Sequence, residues 1–152
     1  MSGWPSWPGL RKRKRDSTKH IMKFICLGYI EPNKFETMPE AQWNALADEC
    51  FTYDDTLRKD GHFAGGEALQ GPDTAKTLRW INGKATVTDG PYAPTKEQLG
   101  GILILEARNL EEAIQLMSKH PGVKVGPFEI RPAADLNEMI AESERRRGEA
   151  AQ

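Results

Sequence analysis

The sequence predicts a single α+β domain within a chain of 152 residues. Three observations lead there. Extended, apolar runs are interspersed with two segments whose apolar residues recur at helical spacing. An Asn-Gly pair between two extended runs marks a hairpin. A further extended run follows the second helix, so strands and helices share one unit rather than occupying separate halves. The length suits one domain with loose ends, and a hydrophobic fraction of 38% is low for a chain packed throughout. The expected division is a basic, unfolded tail or misplaced start over 1–21, a folded domain over 22–134, and a C-terminal helix with a frayed end over 135–152.

Met22–Ile30 reads as the first strand, apolar on both faces after Lys23 and therefore covered on both sides. Thr37-Met38-Pro39-Glu40 has the spacing of a capping box, with proline tolerated in the first turn. Trp43, Leu46, Ala47, Cys50, Tyr53 and Leu57 then form an apolar helical stripe that stops near Asp60-Gly61. His62–Leu69 is extended, although Gly65-Gly66 weakens it. Thr74–Ile81 and Lys84–Thr88 flank Asn82-Gly83 as the arms of the hairpin. Asp89–Gln98 is a polar loop, and Leu99–Ala107 is a nearly continuous apolar strand.

Asn109 is an N-cap, with Glu112 at the reciprocal position of a second capping box. The helix it opens presents Leu110, Ala113, Ile114 and Met117 to the core and ends at His120-Pro121. Val123–Arg131 is the last strand, an edge or bulged one because of Pro127. Asp135–Arg147 is a terminal helix with a thin stripe of Leu136, Met139 and Ile140, and its triple arginine reads as a solvated end. This order matches a ferredoxin-like split β-α-β with an added β-hairpin. Two helices cover only one face of such a sheet, so a second copy of the chain is the expected cover for the other.

A net charge of -1 gives no global argument for nucleic acid or membrane partners. The distribution is uneven, however. Residues 1–21 hold six Lys/Arg and one Asp, leaving 15 Lys/Arg against 21 Asp/Glu in the remainder. Trp4-Pro5, Trp7-Pro8 and Arg11–Arg15 make a stretch that does not fold alone. It reads as a solvated tail, as residues preceding a true start at Met22, or as a weak nucleic-acid arm. No apolar run approaches the length that spans a bilayer, and no secretory signal follows the basic residues. Cys26 and Cys50 lack zinc-ligand or disulfide spacing and read as reduced core residues of a cytoplasmic protein.

Thr88-Asp89-Gly90-Pro91-Tyr92-Ala93-Pro94-Thr95-Lys96-Glu97-Gln98-Leu99-Gly100-Gly101 closely resembles the signature of DGPF proteins within the YCII-related family. Tyr53-Asp54-Asp55 through Leu57, Gly61-His62, Gly66-Glu67-Ala68-Leu69 and the run from Val125 to Pro132 follow in the family's order. The resemblance covers about Met22–Ala134 and implies a dimeric α/β-barrel built from two ferredoxin-like sheets. One branch of the family is similar to a dehydrochlorinase acting on a chlorinated hydroxyhydroquinone, where a His–Asp pair has been proposed as catalytic. DGPF proteins also resemble products encoded near extracytoplasmic-function sigma factors, which implies a regulatory setting. Tyr92 stands where the family name has Phe, and Pro94 where many members carry an acid.

Asp89-Gly90-Pro91 is first a turn: Asp bonds its own backbone, Gly relieves steric limits and Pro fixes φ. Functionally, Asp89 is a carboxylate at a strand end, placed to orient an imidazole or take a proton. His62 is the imidazole whose position suits acid–base work, whereas His120 reads as structural, closing a helix before Pro121. Lys96 and Glu97 suit binding of a charged or phenolic ligand, and Tyr92 lines the same cleft. Glu67, if inward, needs a partner, with Arg79 a candidate. No metal cluster, phosphate-cradling loop or cofactor fingerprint emerges. The sequence therefore predicts a cytoplasmic homodimer binding a small polar or aromatic metabolite. His62 and Asp89 are its candidates for cofactor-free, lyase-like or isomerase-like acid–base chemistry. The alternative is a non-catalytic regulatory or interaction protein linked to sigma-factor-dependent transcription.

Overall fold

The computed structural model describes residues 21–152, and the basic stretch before Ile21 lies outside them. Two compact units arise, one of them Ile21–Pro132. Its elements are β1 (Met22–Ile30), α1 (Pro32–Glu36), α2 (Glu40–Lys59), β2 (Phe63–Ala68), β3 (Lys76–Ile81), β4 (Lys84–Asp89), β5 (Gln98–Ala107), α3 (Leu110–Ser118) and β6 (Phe128–Pro132). Single 3-10 turns at Pro72–Thr74 and Pro121–Lys124 join them. In the other unit, α4 runs over Asn137–Ala150, and the triple arginine lies within its last turns.

The architecture is mixed α+β. Strands β2, β5, β1 and β6 form one antiparallel sheet in that order, and β3 pairs with β4 in a separate two-stranded sheet. Among the described residues neither sheet closes into a barrel. The hairpin turn falls at Asn82-Gly83, where φ is +50° and +77°. That is the left-handed geometry the pair tolerates.

The core lies on one face of the four-stranded sheet. Phe24 and Cys26 of β1 and Leu103, Leu105 and Ala107 of β5 pack against Leu57 of α2 and Ala113 and Met117 of α3. Each large side chain so buried contributes about 1.5–3 kcal/mol. The register sets the opposite face, because alternate residues point opposite ways. Ile25 stands across from Ile104 and Leu27 across from Ile102; all four are half-buried, with no helix of this unit in the core on their side.

Several local expectations are corrected. The Thr37–Glu40 capping box does not form: α2 starts after Pro39 without a side-chain cap, and the Thr37 hydroxyl instead closes α1 by donating to the Asn33 carbonyl at 3.0 Å. Of the apolar stripe on α2 only Leu57 is buried, and Trp43 packs edge-on against Phe35 at the surface. On α3, Ala113 and Met117 are buried while Leu110 and Ile114 are exposed. The last strand begins only at Phe128, because Pro121–Lys124 coils into a 3-10 turn. The second capping box forms in part, with the Glu112 amide donating to Asn109 Oδ1 at 2.9 Å.

Candidate functional site

The polar loop after β4 is tied into a compact turn by its own side chains. The Gln98 amide donates to the carbonyls of Ala93 at 2.9 Å and Thr95 at 2.7 Å, and the Thr95 hydroxyl donates to the Glu97 carbonyl at 2.6 Å. These bonds hold Lys96 and Glu97 at the start of β5. Lys96 Nζ lies 3.8 Å from Glu31 Oε1, and Lys34 Nζ lies 3.4 Å from the same oxygen. Glu31, in the turn after β1, is thus a largely buried carboxylate shared by two exposed ammonium groups.

Beside this cluster is a cleft of about 340 Å³, lined by Glu31, Lys34, Glu97 and the segment from Val123 to Pro127. Two features fix that segment. The Tyr29 amide donates to the Pro127 carbonyl at 2.9 Å. Gly126 sits so close to β1 that a Cβ there would overlap the Tyr29 carbonyl oxygen, so the wall requires glycine at this position. Of the two residues expected to bind ligand, Glu97 lines this cleft, whereas Lys96 stands beside it and meets it through Glu31. Glu31, Lys34 and Lys124 were missed, because charged residues at a turn and in a helix-like coil carry no periodic signal.

The other predicted residues lie elsewhere. His62 stands just before β2, and its Nδ1 is 2.8 Å from the Glu106 carbonyl, to which it donates; Nε2 has no partner among the described residues. Glu106 and Gln98 are eight residues apart on β5, a span of about 27 Å at ~3.4 Å per residue. His62 thus sits at the opposite end of that strand from the cleft. Glu112 is the charged neighbour there; its carboxylate bonds Arg108, chiefly for which reason it ionises below the ordinary range, with His62 contributing weakly.

Asp89 closes the β3–β4 hairpin. Its Oδ1 accepts from Lys76 Nζ at 2.6 Å, and the following Gly90, at φ +95°, donates its amide to Ala75 at 2.9 Å. Among the described residues no hydrogen bond or ion pair joins His62 to Asp89. Tyr92 is exposed, with its ring 5.7 Å beneath the Arg79 guanidinium and its hydroxyl open to water. Glu67 is also exposed, opposite Ile102 on the face away from the helices. The expected Glu67–Arg79 pairing is not made. Arg79 belongs to the other sheet, where it donates to the Thr88 hydroxyl at 2.8 Å and the Tyr92 carbonyl at 3.4 Å.

His120 is the buried polar residue that holds the cleft wall to α2. Its Nδ1 accepts the Gly122 amide at 3.0 Å, which places the proton of the neutral ring on Nε2, 3.2 Å from Asp54 Oδ1. Tyr53 packs edge-on against the ring at 5.6 Å and Phe128 tilts over it at 5.5 Å. The Tyr53 hydroxyl donates to the Leu116 carbonyl at 2.5 Å, tying α2 to α3. The sequence assigned His120 to a helix end; its part in holding residues 121–127 needed Asp54, 66 positions away in the chain.

Both cysteines are free, and burial pushes the Cys26 thiol up to about 11. Burial, then the Asp54 and Glu49 carboxylates, raise Cys50 as well, against a Gly122 amide that lowers it. Neither is primed as a nucleophile. Among the described residues no group of three or more His, Cys, Asp or Glu is placed to hold a metal ion, and no helix is long and apolar enough to cross a membrane.

Comparison with known proteins agrees with the Asp-Gly-Pro signature. The chain is 41% identical over 64 residues to a protein of Rhizobium meliloti (strain 1021) called uncharacterized protein R00369, a match covering 40% of this chain and 50% of that protein. The chain thus spans about half the length of this curated relative. The YCII-related domain matches residues 22–137, which takes in all six strands, the hairpin, the loop and both walls of the cleft. The chain belongs to the YCII-related domain family.

Proposed function

We propose that the chain is a homodimer that binds a small polar or aromatic metabolite in the cleft between Glu31, Glu97 and residues 123–127. The observation that carries this reading is the convergence of the tied Ala93–Gln98 turn, the Glu31 carboxylate and the Gly126 wall on one concave site. Its volume of about 340 Å³ is at the small end of ligand pockets.

The dimer has separate support. Leaving out the hairpin, the order β1-α2-β2-β5-α3-β6 is that of a ferredoxin-like unit. The sheet face bearing Ile25, Leu27, Ile102 and Ile104 suits a two-fold partner laid against it, which would give the dimeric barrel that the family resemblance implies.

Acid–base chemistry extends this reading to His62, whose Nδ1–H is held by the Glu106 carbonyl and whose Nε2 is left to accept a proton. Asp89 joins that chemistry only by leaving Lys76 or by acting from the other protomer. A non-catalytic regulatory or interaction role is favoured by one observation: Asp89 and Gly90 bond within their own hairpin.

Thermal stability against a broad metabolite panel tests the binding reading, measured beside Lys96→Ala, Glu97→Gln and His62→Ala. A ligand at 100 times its Kd stabilises the native state by about 2.7 kcal/mol. The expected result is a shift in the parent and in His62→Ala that is lost in Glu97→Gln, which alters the cleft lining, and reduced in Lys96→Ala, which releases Glu31. A shift lost only in His62→Ala moves the site to the other end of β5, and no shift with any compound contradicts ligand binding.

A further inference from the structure

The β3–β4 hairpin carries its apolar side chains on the face that its own chain leaves open. The register pairs Leu78 with Val87 and Trp80 with Ala85, which sets these four on one face beside Lys76 and Asp89. Leu78, Trp80 and Val87 are 68%, 76% and 58% exposed. The other face, apart from Ile81 at the turn, is polar: Thr77 and Thr86 are half-buried, and the cations Arg79 and Lys84 lie there. That polar face is the one bonded to the chain's own loop, with Thr77 Oγ1 donating to the Gly90 carbonyl at 2.8 Å and Arg79 to the Tyr92 carbonyl at 3.4 Å. Neither strand of the hairpin joins the four-stranded sheet, and a two-stranded ribbon is marginal in water unless its apolar face is covered.

We infer that the hairpin is a dimerisation arm, whose apolar face packs on the same face of a second copy about a two-fold axis. The distribution of charge selects that occupant. On the apolar face Lys76 and Asp89 pair at 2.6 Å, so two copies meet there without net charge, while Arg79 and Lys84 project from the opposite face. An anionic lipid surface or a nucleic acid would need those cations beside Trp80. Area selects the same occupant. A stable interface draws roughly 800 Å² from each copy, and the half-buried Ile25, Leu27, Ile102 and Ile104 fall well short of that. Trp80 adds roughly 190 Å², from ~250 Å² for a whole tryptophan, and Leu78 and Val87 extend the patch. This inference rests on the dimer reading above and gives that interface a second element, with Asp89 at its rim.

The test is an isotope-filtered NMR experiment on a mixture of labelled and unlabelled full-length chain, beside sedimentation of Trp80→Gln and Lys84→Gln. Cross-peaks between copies are expected among Leu78, Trp80 and Val87. Trp80→Gln is expected to raise the dimer dissociation constant about thirtyfold, the size of effect of an interfacial tryptophan anchor. Lys84→Gln, on the opposite face, is expected to leave it unchanged. Both side chains are exposed, and unchanged amide spectra of the four-stranded sheet show that the variants keep the fold. Cross-peaks confined to Ile25, Leu27, Ile102 and Ile104, with Trp80→Gln as dimeric as the parent, overturn the arm and leave the sheet-face dimer standing. A parent that is monomeric at all concentrations overturns both. A monomer that sediments with phosphatidylserine vesicles, and loses this in Trp80→Gln, gives the face to lipid and likewise overturns the arm.

Discussion

His120 Nε2 lies 3.2 Å from Asp54 Oδ1, and this contact joins the middle of α2 to the turn that begins the cleft wall. The imidazole is 8% exposed and uses both ring nitrogens, so it is a buried polar group with its partners in place. Replacing it with alanine removes the Gly122 acceptor, strips Tyr53 and Phe128 of a ring contact and leaves Asp54 without its donor. His120→Ala is expected to cost about 2–4 kcal/mol in urea unfolding. Asp54→Asn keeps an oxygen acceptor and is expected to cost about 1 kcal/mol. Equal costs, or none, would show that the pair does not hold the wall.

Glu112 gives an acid-dependent contribution of known sign. Its carboxylate is held below the ordinary range first by the hydrogen bond from Arg108, so the folded state favours the ionised form. The stabilisation is fully present above the unfolded pKa, about 4.3, and is lost as pH falls through the lower folded value. Arg108 is largely exposed, so Arg108→Ala is expected to lower stability by no more than about 1 kcal/mol near neutrality. The parent and variant curves should converge in acid. A gap that persists or widens at low pH would assign the effect to packing instead.

The sheet face turned away from α2 and α3 predicts the response of the assembly. Ile25, Leu27, Ile102 and Ile104 form a compact apolar group across β1 and β5. A charge at Ile104 would have to be buried without a partner in a face-to-face dimer. Sedimentation should show a dimer for the parent and a monomer for Ile104→Glu, with the helical signal retained. A parent that sediments as a monomer at all concentrations removes the dimer from the account.

The two thiols should differ in reactivity. Burial that takes Cys26 to about 11 leaves roughly hundredfold less thiolate than an ordinary value of 9.0, and the thiolate is the reacting form. Cys50 is partly exposed. A neutral-pH thiol reagent should label Cys50 first and Cys26 only as the chain unfolds. Labelling of Cys26 at the Cys50 rate would show that the sheet–helix interface opens readily.

The strands and the hairpin were legible because their signals are local. Met22–Ile30 is bounded as its composition indicates, and Asn82-Gly83 adopts the backbone its residue types tolerate. The helix faces were less legible, since spacing identifies a stripe but not how much of it a small sheet covers. Trp43 and Ile114 fit their stripes yet stay exposed. Part of the cleft was legible: Glu97 sits within a recognisable loop, while Glu31 and Lys124 join it only through long-range packing. Gly126 gives a lone glycine signal in sequence, and its necessity appears only when the Tyr29 carbonyl is seen against it. The sequence did not show that His62 and Asp89 make separate hydrogen bonds, His62 to the Glu106 carbonyl and Asp89 to Lys76, because both partners come from other strands.

The central claim is that a small metabolite binds beside Glu31, and it is tested most directly by locating a bound ligand. Backbone amide resonances of the labelled chain, followed with the best compound from the stability panel, report that location. The account predicts shifts at Lys96–Gln98 and Val123–Gly126, with His62 and Glu106 unmoved. Shifts centred on His62 and Glu106, with the cleft unmoved, would contradict it.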